Sequence, residues 1–283
     1  MPHMTPPLPL VISIQSQVAF GHVGNSAAAY PMRACGVEVI EVPTALLSNH
    51  PHYPTMHGSI LEPDLVAGLL AGLVERGLLE RVAVILSGFL GRAGTARAVA
   101  DFVSRAKVVN PGLIYVCDPV MGDADLGFFA DEPLREAFIH DVVPLADVVL
   151  PNAFELTALC CVPIDGAEDV ARARASLGRP AVVATSVPVP GRPDRLATVT
   201  ATETACASIE VTRLPVRPAG TGDLLAGLTA ARLALGLELE TAVARAVAGV
   251  AVALSRTSGE PWAEMPIAAA IDAITTAGED DVR

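Results

Sequence analysis

The chain has 283 residues, 52% of them hydrophobic, enough to fill a large core in one α/β unit. Its formal charge is −12, with a single lysine (Lys107) against eighteen arginines, so a general basic surface for nucleic acid or anionic membrane is excluded. A phosphate ligand is not excluded, because backbone amides and a metal can bind one locally, but a P-loop is: no G-x-x-x-x-G-K-[ST] occurs.

Residues 1–7 read as a loose, Pro-rich leader without the basic start of a signal peptide. No apolar run is long enough to span a bilayer. The five cysteines are odd in number and lack a C-x-x-C pair, which points to buried, reduced thiols in a cytoplasmic protein.

Leu8 to Ile14 reads as a buried strand, followed by a polar, Gly-rich loop and a helix over Asn25 to Cys35 that Pro31 disturbs. A well-capped turn needs one Gly and one cap. Gln15, Ser16, Gly21, His22 and Gly24 exceed that need, and Ser16 at the strand end is a candidate substrate contact. Val37 to Val42 is a second strand. Thr44 to His57 shows no strand or helix period and reads as a polar, aromatic lid over a small-molecule pocket or as a plain surface loop. Pro63 to Gly77 is a helix with Pro at its start, Val82 to Leu86 a strand, and Ala93 to Val108 a helix stopped by Asn110-Pro111-Gly112.

Leu113 to Cys117 is a strand that delivers Asp118, with Asp123 shortly after. Two acids at one strand exit suit a cation or a metal-bound phosphate, although Asp-Pro and Gly-Asp are also turn dipeptides. Val148 to Leu150 leads into Pro151-Asn152-Ala153-Phe154-Glu155. Asn152 and Glu155 have capping-box spacing, and the same pair could order the waters of Mg²⁺. Ala167 to Leu177 is a helix, and Ala181 to Ala184 a strand ending at Thr185. The span from Arg195 to Pro215 reads as antiparallel strands at the sheet edge. Helices follow over Thr221–Leu235, Leu239–Thr257 and Pro266–Thr276. Continuous apolar strands alternating with helices predict an α/β fold whose mainly parallel sheet has helices on both sides, as one domain over residues 1–283.

The most telling stretch is Gly220-Thr221-Gly222-Asp223, between a strand-like segment (Val211 to Pro218) and an apolar helix. Small residues allow a sharp turn, and the helix start presents unpaired N–H groups that bind anions. A carboxylate there repels a phosphate but can take a proton from a nearby hydroxyl. The pair reads either as an Asp at a helix N-cap after a Gly turn or as phosphoryl transfer to an alcohol, with the amides around Gly220, Thr221 and Gly222 as anion hole and Asp223 as general base.

Ile14-Gln15-Ser16, Gly21-His22-Val23-Gly24-Asn25-Ser26-Ala27, Ser48-Asn49-His50, Asp118-Pro119-Val120-Met121-Gly122-Asp123, Pro151-Asn152-Ala153-Phe154-Glu155-Leu156 and Gly220-Thr221-Gly222-Asp223-Leu224 occur in one order over residues 8–257. In this the chain resembles the pyridoxal kinases of the ribokinase superfamily. The G-x-G-D and N-x-x-E elements mark the superfamily, whereas Gly21–Ala27 with Ser48-Asn49-His50 is specific to the pyridoxal branch. The resemblance implies a ribokinase-like three-layer sandwich and a homodimer. It implies ATP-dependent phosphorylation of the 5′-hydroxymethyl group of pyridoxal, pyridoxine and pyridoxamine.

The resemblance further implies Ser16, Thr44, His52 and Asp223 at the vitamin, with Asp118, Asn152, Glu155, Thr185, Gly220 and Gly222 at ATP. Asp118, Asp123 and Glu155 are implied at Mg²⁺, with K⁺ or another monovalent cation nearby. Three departures surround the vitamin: Gln17 where His is common, Pro51-His52 for Thr-Gln, and Phe128-Phe129 for a hydroxyl-bearing aromatic residue. The competing expectations are a hydroxymethylpyrimidine-type kinase and a non-catalytic B6-binding carrier.

Overall fold

β1 (Leu10–Val18) runs through the interior of a nine-stranded sheet and is buried along nearly its whole length. The computed structural model describes residues 7–178, 181–260 and 263–279, so most of the expected leader lies outside the described residues. β1 pairs in parallel with β2 (Glu38–Leu47) on one side and with β4 (Val82–Ser87) on the other, while β3 (Gly58–Ile60) closes the β2 edge antiparallel. Beyond β4 follow β5 (Ile114–Cys117), β8 (Val148–Val149) and β9 (Ala181–Pro188), all parallel, then the antiparallel β10 (Arg195–Ala201) and β11 (Cys206–Thr212).

The period-2 alternation of side chains splits the strand residues between two cores. Leu10, Ile12 and Ile14 face Ile85, Tyr115 and Val149. They are covered by α2 (Pro63–Glu75), α3 (Ala93–Val109) and the short α4 (Glu132–Ala137). Val11, Val84, Leu86 and Val116 face the opposite way. They lie under α1 (Asn25–Ala34), α7 (Thr221–Ala234), α8 (Leu239–Ser255) and α9 (Ile267–Thr276). A third cluster, around Leu156, Val182 and Val199, lies beneath α5 (Ala153–Cys160) and α6 (Ala167–Leu177). Burial on both faces explains why these strands read as continuous apolar runs. The result is the expected three-layer α/β architecture. Among the described residues no helix is long and apolar enough to cross a membrane.

Several expectations need correction. β2 continues through Thr44 to Leu47, so Thr44 is a strand residue and the irregular loop is shorter than expected. Strand structure after β10 ends at Thr212, leaving most of Val211 to Pro218 irregular. Pro31 sits inside α1 without ending it: it forfeits one helical hydrogen bond, and its neighbours Ala28 and Met32 are fully buried in the core. The thiols are not all buried. Cys117 is, and burial pushes it up to about 12, but Cys161 and Cys206 are exposed. The hairpin of β6 (Gly122–Asp123) and β7 (Gly127–Phe128) was not legible, because two-residue strands carry no period.

Candidate functional site

The strand order reverses at β1: the chain leaves it for β2 on one side and returns to β4 on the other. In an open parallel sheet the crevice beyond the carboxyl ends at such a reversal is where ligands bind. Here the β1–β2 register slips. Gln15 opposes Pro43 but Gln17 opposes Leu46, so Thr44 and Ala45 stand across from Ser16. This β-bulge brings two expected substrate residues, Ser16 and Thr44, to one spot and re-aims both. Both are buried, and the Thr44 hydroxyl donates to the Phe89 carbonyl at 2.5 Å. Beneath them the Ser13 hydroxyl donates to Asn25 Oδ1 (2.7 Å), and Asn25 Nδ2 donates to the Gln15 carbonyl (3.2 Å), fixing the loop after β1.

That loop meets the Gly220 turn directly. Gly220 has φ 80°, and a methyl group there would overlap the His22 carbonyl oxygen, so only glycine fits both the backbone and the space. The first bond of α7 runs from the Leu224 N–H to the Gly220 carbonyl at 2.9 Å. The N–H groups of Thr221, Gly222 and Asp223 therefore lie ahead of the helical ladder, at the positive end of the helix dipole. Asp223 is half-buried, and its carboxylate accepts from the Gly24 N–H. Desolvation pushes its pKa above the ordinary aspartate value, and the Gly24 hydrogen bond opposes this.

Asp118 enters from the end of β5, its amide held by the Ser87 carbonyl at 2.8 Å. Its Oδ2 lies 3.9 Å from where a Gly222 side chain would begin, so it faces the turn. Burial, then Glu155 and then Asp223, push its pKa well up. Glu155 and Asp223 thus both add to the cost of ionising Asp118. Both oxygens of Glu155 are occupied: Oε1 accepts from the Met121 (2.8 Å) and Gly122 (3.3 Å) amides, and Oε2 from the Asn152 amide (2.9 Å). Asn152 Oδ1 accepts from the Glu155 amide, completing the capping box, and Asn152 Nδ2 donates to the Gly122 carbonyl. Among the described residues no group of three or more His, Cys, Asp or Glu could hold a metal ion. The cluster suits a cation that keeps water or ligand oxygens in most of its shell, with Asp118 as the carboxylate whose oxygens are least engaged.

Burial pushes Glu155 up from 4.5 to about 7, against the three amides that lower it. A carboxyl with a raised folded pKa holds its proton after the unfolded chain has lost it, so stability falls as pH rises from the unfolded value towards 7. In chelated buffer, urea unfolding is expected to show roughly 1–3 kcal/mol less stability at pH 7 than at pH 4.5 from this group. Glu155→Gln is less stable throughout but loses that slope. An identical slope in the variant would refute the assignment.

The remaining expected residues fall differently. Thr185 lies beside Asn152 through a parallel bridge, its amide on the Pro151 carbonyl at 2.9 Å. Asp123 points to Arg217 (2.9 Å), which also pairs with Asp125, so the β6–β7 hairpin is clasped to the segment before Gly220. His52 is exposed on the solvent side of the loop, edge-on to the buried His50. Sequence reasoning missed Arg217 and Glu264, since neither belongs to a spaced motif. Glu264 accepts from the His22 amide (3.0 Å) and the Tyr53 hydroxyl (3.0 Å) and meets His50 Nε2 at 3.0 Å and His22 Nδ1 at 3.2 Å.

Residues 32–262 match the family described as phosphomethylpyrimidine kinase. Pyridoxal kinase PdxY of Leifsonia xyli subsp. xyli is 38% identical over 88% of this chain and 90% of its own length. The pyridoxine/pyridoxal/pyridoxamine kinase of Bordetella avium is 42% identical over 82% and 80%. The solved structure of pyridoxal kinase from Leishmania donovani in complex with ADP and pyridoxine superposes with a TM-score of 0.87. It shares 27% identity and covers 95% of this chain and 96% of that one.

Proposed function

The chain belongs to the pyridoxal kinases within the phosphomethylpyrimidine kinase family, and from that premise we propose that it transfers the γ-phosphoryl group of ATP to the 5′-hydroxymethyl group of pyridoxal, pyridoxine and pyridoxamine. The observation that carries this reading is the Gly220 turn, whose free amides adjoin a carboxylate on each side, Asp118 and Asp223.

The alcohol binds with its ring at the Ser16–Thr44 bulge and under the loop that carries His50 and His52. The amides of the turn receive the transferring phosphoryl group and stabilise charge that develops on its oxygens. Asp223 accepts the hydroxyl proton as the new O–P bond forms. The bond from the γ-phosphorus to the bridging oxygen breaks, and its electron pair leaves on ADP. A raised pKa suits Asp223 to this role, because a base closer in pKa to its working pH moves a proton more effectively.

Asp118 would hold Mg²⁺, with Glu155 and Asn152 fixing the ground behind it and Asp123 contributing from the β6–β7 hairpin. The ion would supply positive charge against the triphosphate. K⁺ or another monovalent cation belongs to the same proposal. A cleft of about 290 Å³ beside the turn, lined by Val216, Arg217, Pro218, Ser258 and Glu260, has room for the nucleotide's base, and Thr185, beside Asn152, is assigned to the nucleotide as well. In this reading the whole chain is one catalytic domain that works in the cytoplasm as a homodimer.

The test is a panel of alcohols with Mg-ATP, scored by ADP release and by product mass. Pyridoxal, pyridoxine or pyridoxamine is expected to turn over. Turnover of hydroxymethylpyrimidine alone moves the chain to the sister kinase, and binding without turnover makes it a carrier.

A further inference from the structure

We propose that Glu264 is a positioning residue that ties the two alcohol-side loops to the phosphoryl-transfer turn. The proposal rests on the kinase reading above and adds to it a residue outside every motif. Glu264 lies in the connection between α8 and α9, its side chain only 18% exposed. A carboxylate has about four acceptor positions. Here four donor groups from two remote loops converge on them: the His22 amide and Nδ1, His50 Nε2 and the Tyr53 hydroxyl. The fit is close, since a side chain on Gly21 would run into this carboxylate.

Each tethered group leads to a different part of the site. The His22 carbonyl is the surface against which Gly220 turns. Two residues on, the Gly24 amide donates to Asp223. Next, Asn25 reaches back to Gln15, beside Ser16. On the other loop, the His50 and Tyr53 rings meet at a tilt with centroids 4.6 Å apart and Phe20 packs on Tyr53 at 5.9 Å, so the tether also holds an aromatic wall. One carboxylate therefore sets the spacing between the wall that flanks the alcohol and the turn that receives the phosphoryl group. Glu264 itself does not line the cleft assigned to the nucleotide, although Ala263 beside it does, and its four donors all come from the alcohol-side loops, so the tether acts first on alcohol binding.

Glu264→Gln is the informative change. An amide offers acceptors at one end only, so it cannot serve donors at both oxygens. KM for pyridoxal is expected to rise about tenfold while KM for ATP stays within about twofold of wild type. In the free protein, hydrogen exchange at amides 50–57 is expected to accelerate by about tenfold. Tyr53→Phe removes one tether without changing shape. It should raise KM for pyridoxal by less, and add nothing in the Glu264→Gln background. If Glu264→Gln fails to fold, Tyr53→Phe alone decides by the same two readouts. Unchanged exchange with unchanged KM overturns the proposal, as does an equal loss toward ATP and pyridoxal. A wild-type protein that turns over no B6 vitamer defeats the kinase reading, while the exchange result still decides the tether.

Discussion

Asp223→Asn is expected to lower kcat for pyridoxal by about 10²–10⁴-fold, the usual worth of a positioned general base, while both substrates still bind. Asparagine keeps an oxygen for the Gly24 amide, so the loop has no reason to move. The substitution also removes the smaller of the two like charges acting on Asp118, whose pKa then falls but stays raised by burial and Glu155. The variant should therefore be at least as stable as the wild type at neutral pH, which separates lost chemistry from lost structure. The pH profile gives a second check. A base works only when deprotonated, and the Asp223 pKa is raised, so the wild-type rate climbs with pH through a limb above the ordinary aspartate range. Asp223→Asn lacks that limb. A variant within tenfold of wild type, with the limb intact, would remove Asp223 from the role of base.

Gly220→Ala should be nearly as damaging for a different reason. Its methyl group meets the His22 carbonyl, which is backbone and cannot swing aside, at a left-handed φ of 80°. The left-handed conformation alone costs about 1–2 kcal/mol for a residue with a side chain. Relieving the overlap means prising the Gly21–Asn25 loop from the start of α7, and a displacement of about 1 Å at a reacting centre can cost about 10² in rate. The expected outcome is a loss of kcat of at least about 10² together with a lower Tm. Gly236→Ala is the control. It has a similar φ of 85° at the far end of α7 but nothing within 4 Å of an added methyl group. It should show the conformational cost in Tm and keep wild-type kcat. Equal activity losses in both variants would mean that the effect is helix destabilisation rather than the contact with His22.

The parallel sheet and the helices over it were legible because strands buried on both faces, and helices with one apolar side, write their periods into the chain. Pro63 at the first position of α2 and the Asn152–Glu155 capping box gave helix starts to the residue. The candidate site was legible where a motif ended a strand: Ser16, Asp118, Asn152 and Gly220–Asp223 all reach one edge. What stayed hidden depends on pairing rather than pattern. The bulge that sets Thr44 opposite Ser16 is a relation between two strands, and neither alone announces it. Asp123 reads as a free acid until Arg217, 94 residues later, is seen to hold it. Glu264 is one acid in an irregular connection, and its significance lies wholly in donors from residues 22 to 53.

The seam between the Gly21–Asn25 loop and the Gly220 turn also sets when the molecule becomes competent during its own synthesis. β1 can pair with β2 and β4 once Ser87, the end of β4, has left the ribosome. Nothing stands against the His22 carbonyl until Gly220 arrives, and the loop is not tied until Glu264 follows. A nascent chain that has emerged as far as β10 can thus own most of its parallel sheet before the Gly220 turn exists. Catalytic competence in this fold therefore comes late, because it waits for residues 220 and 264 to meet a loop at residues 21–25.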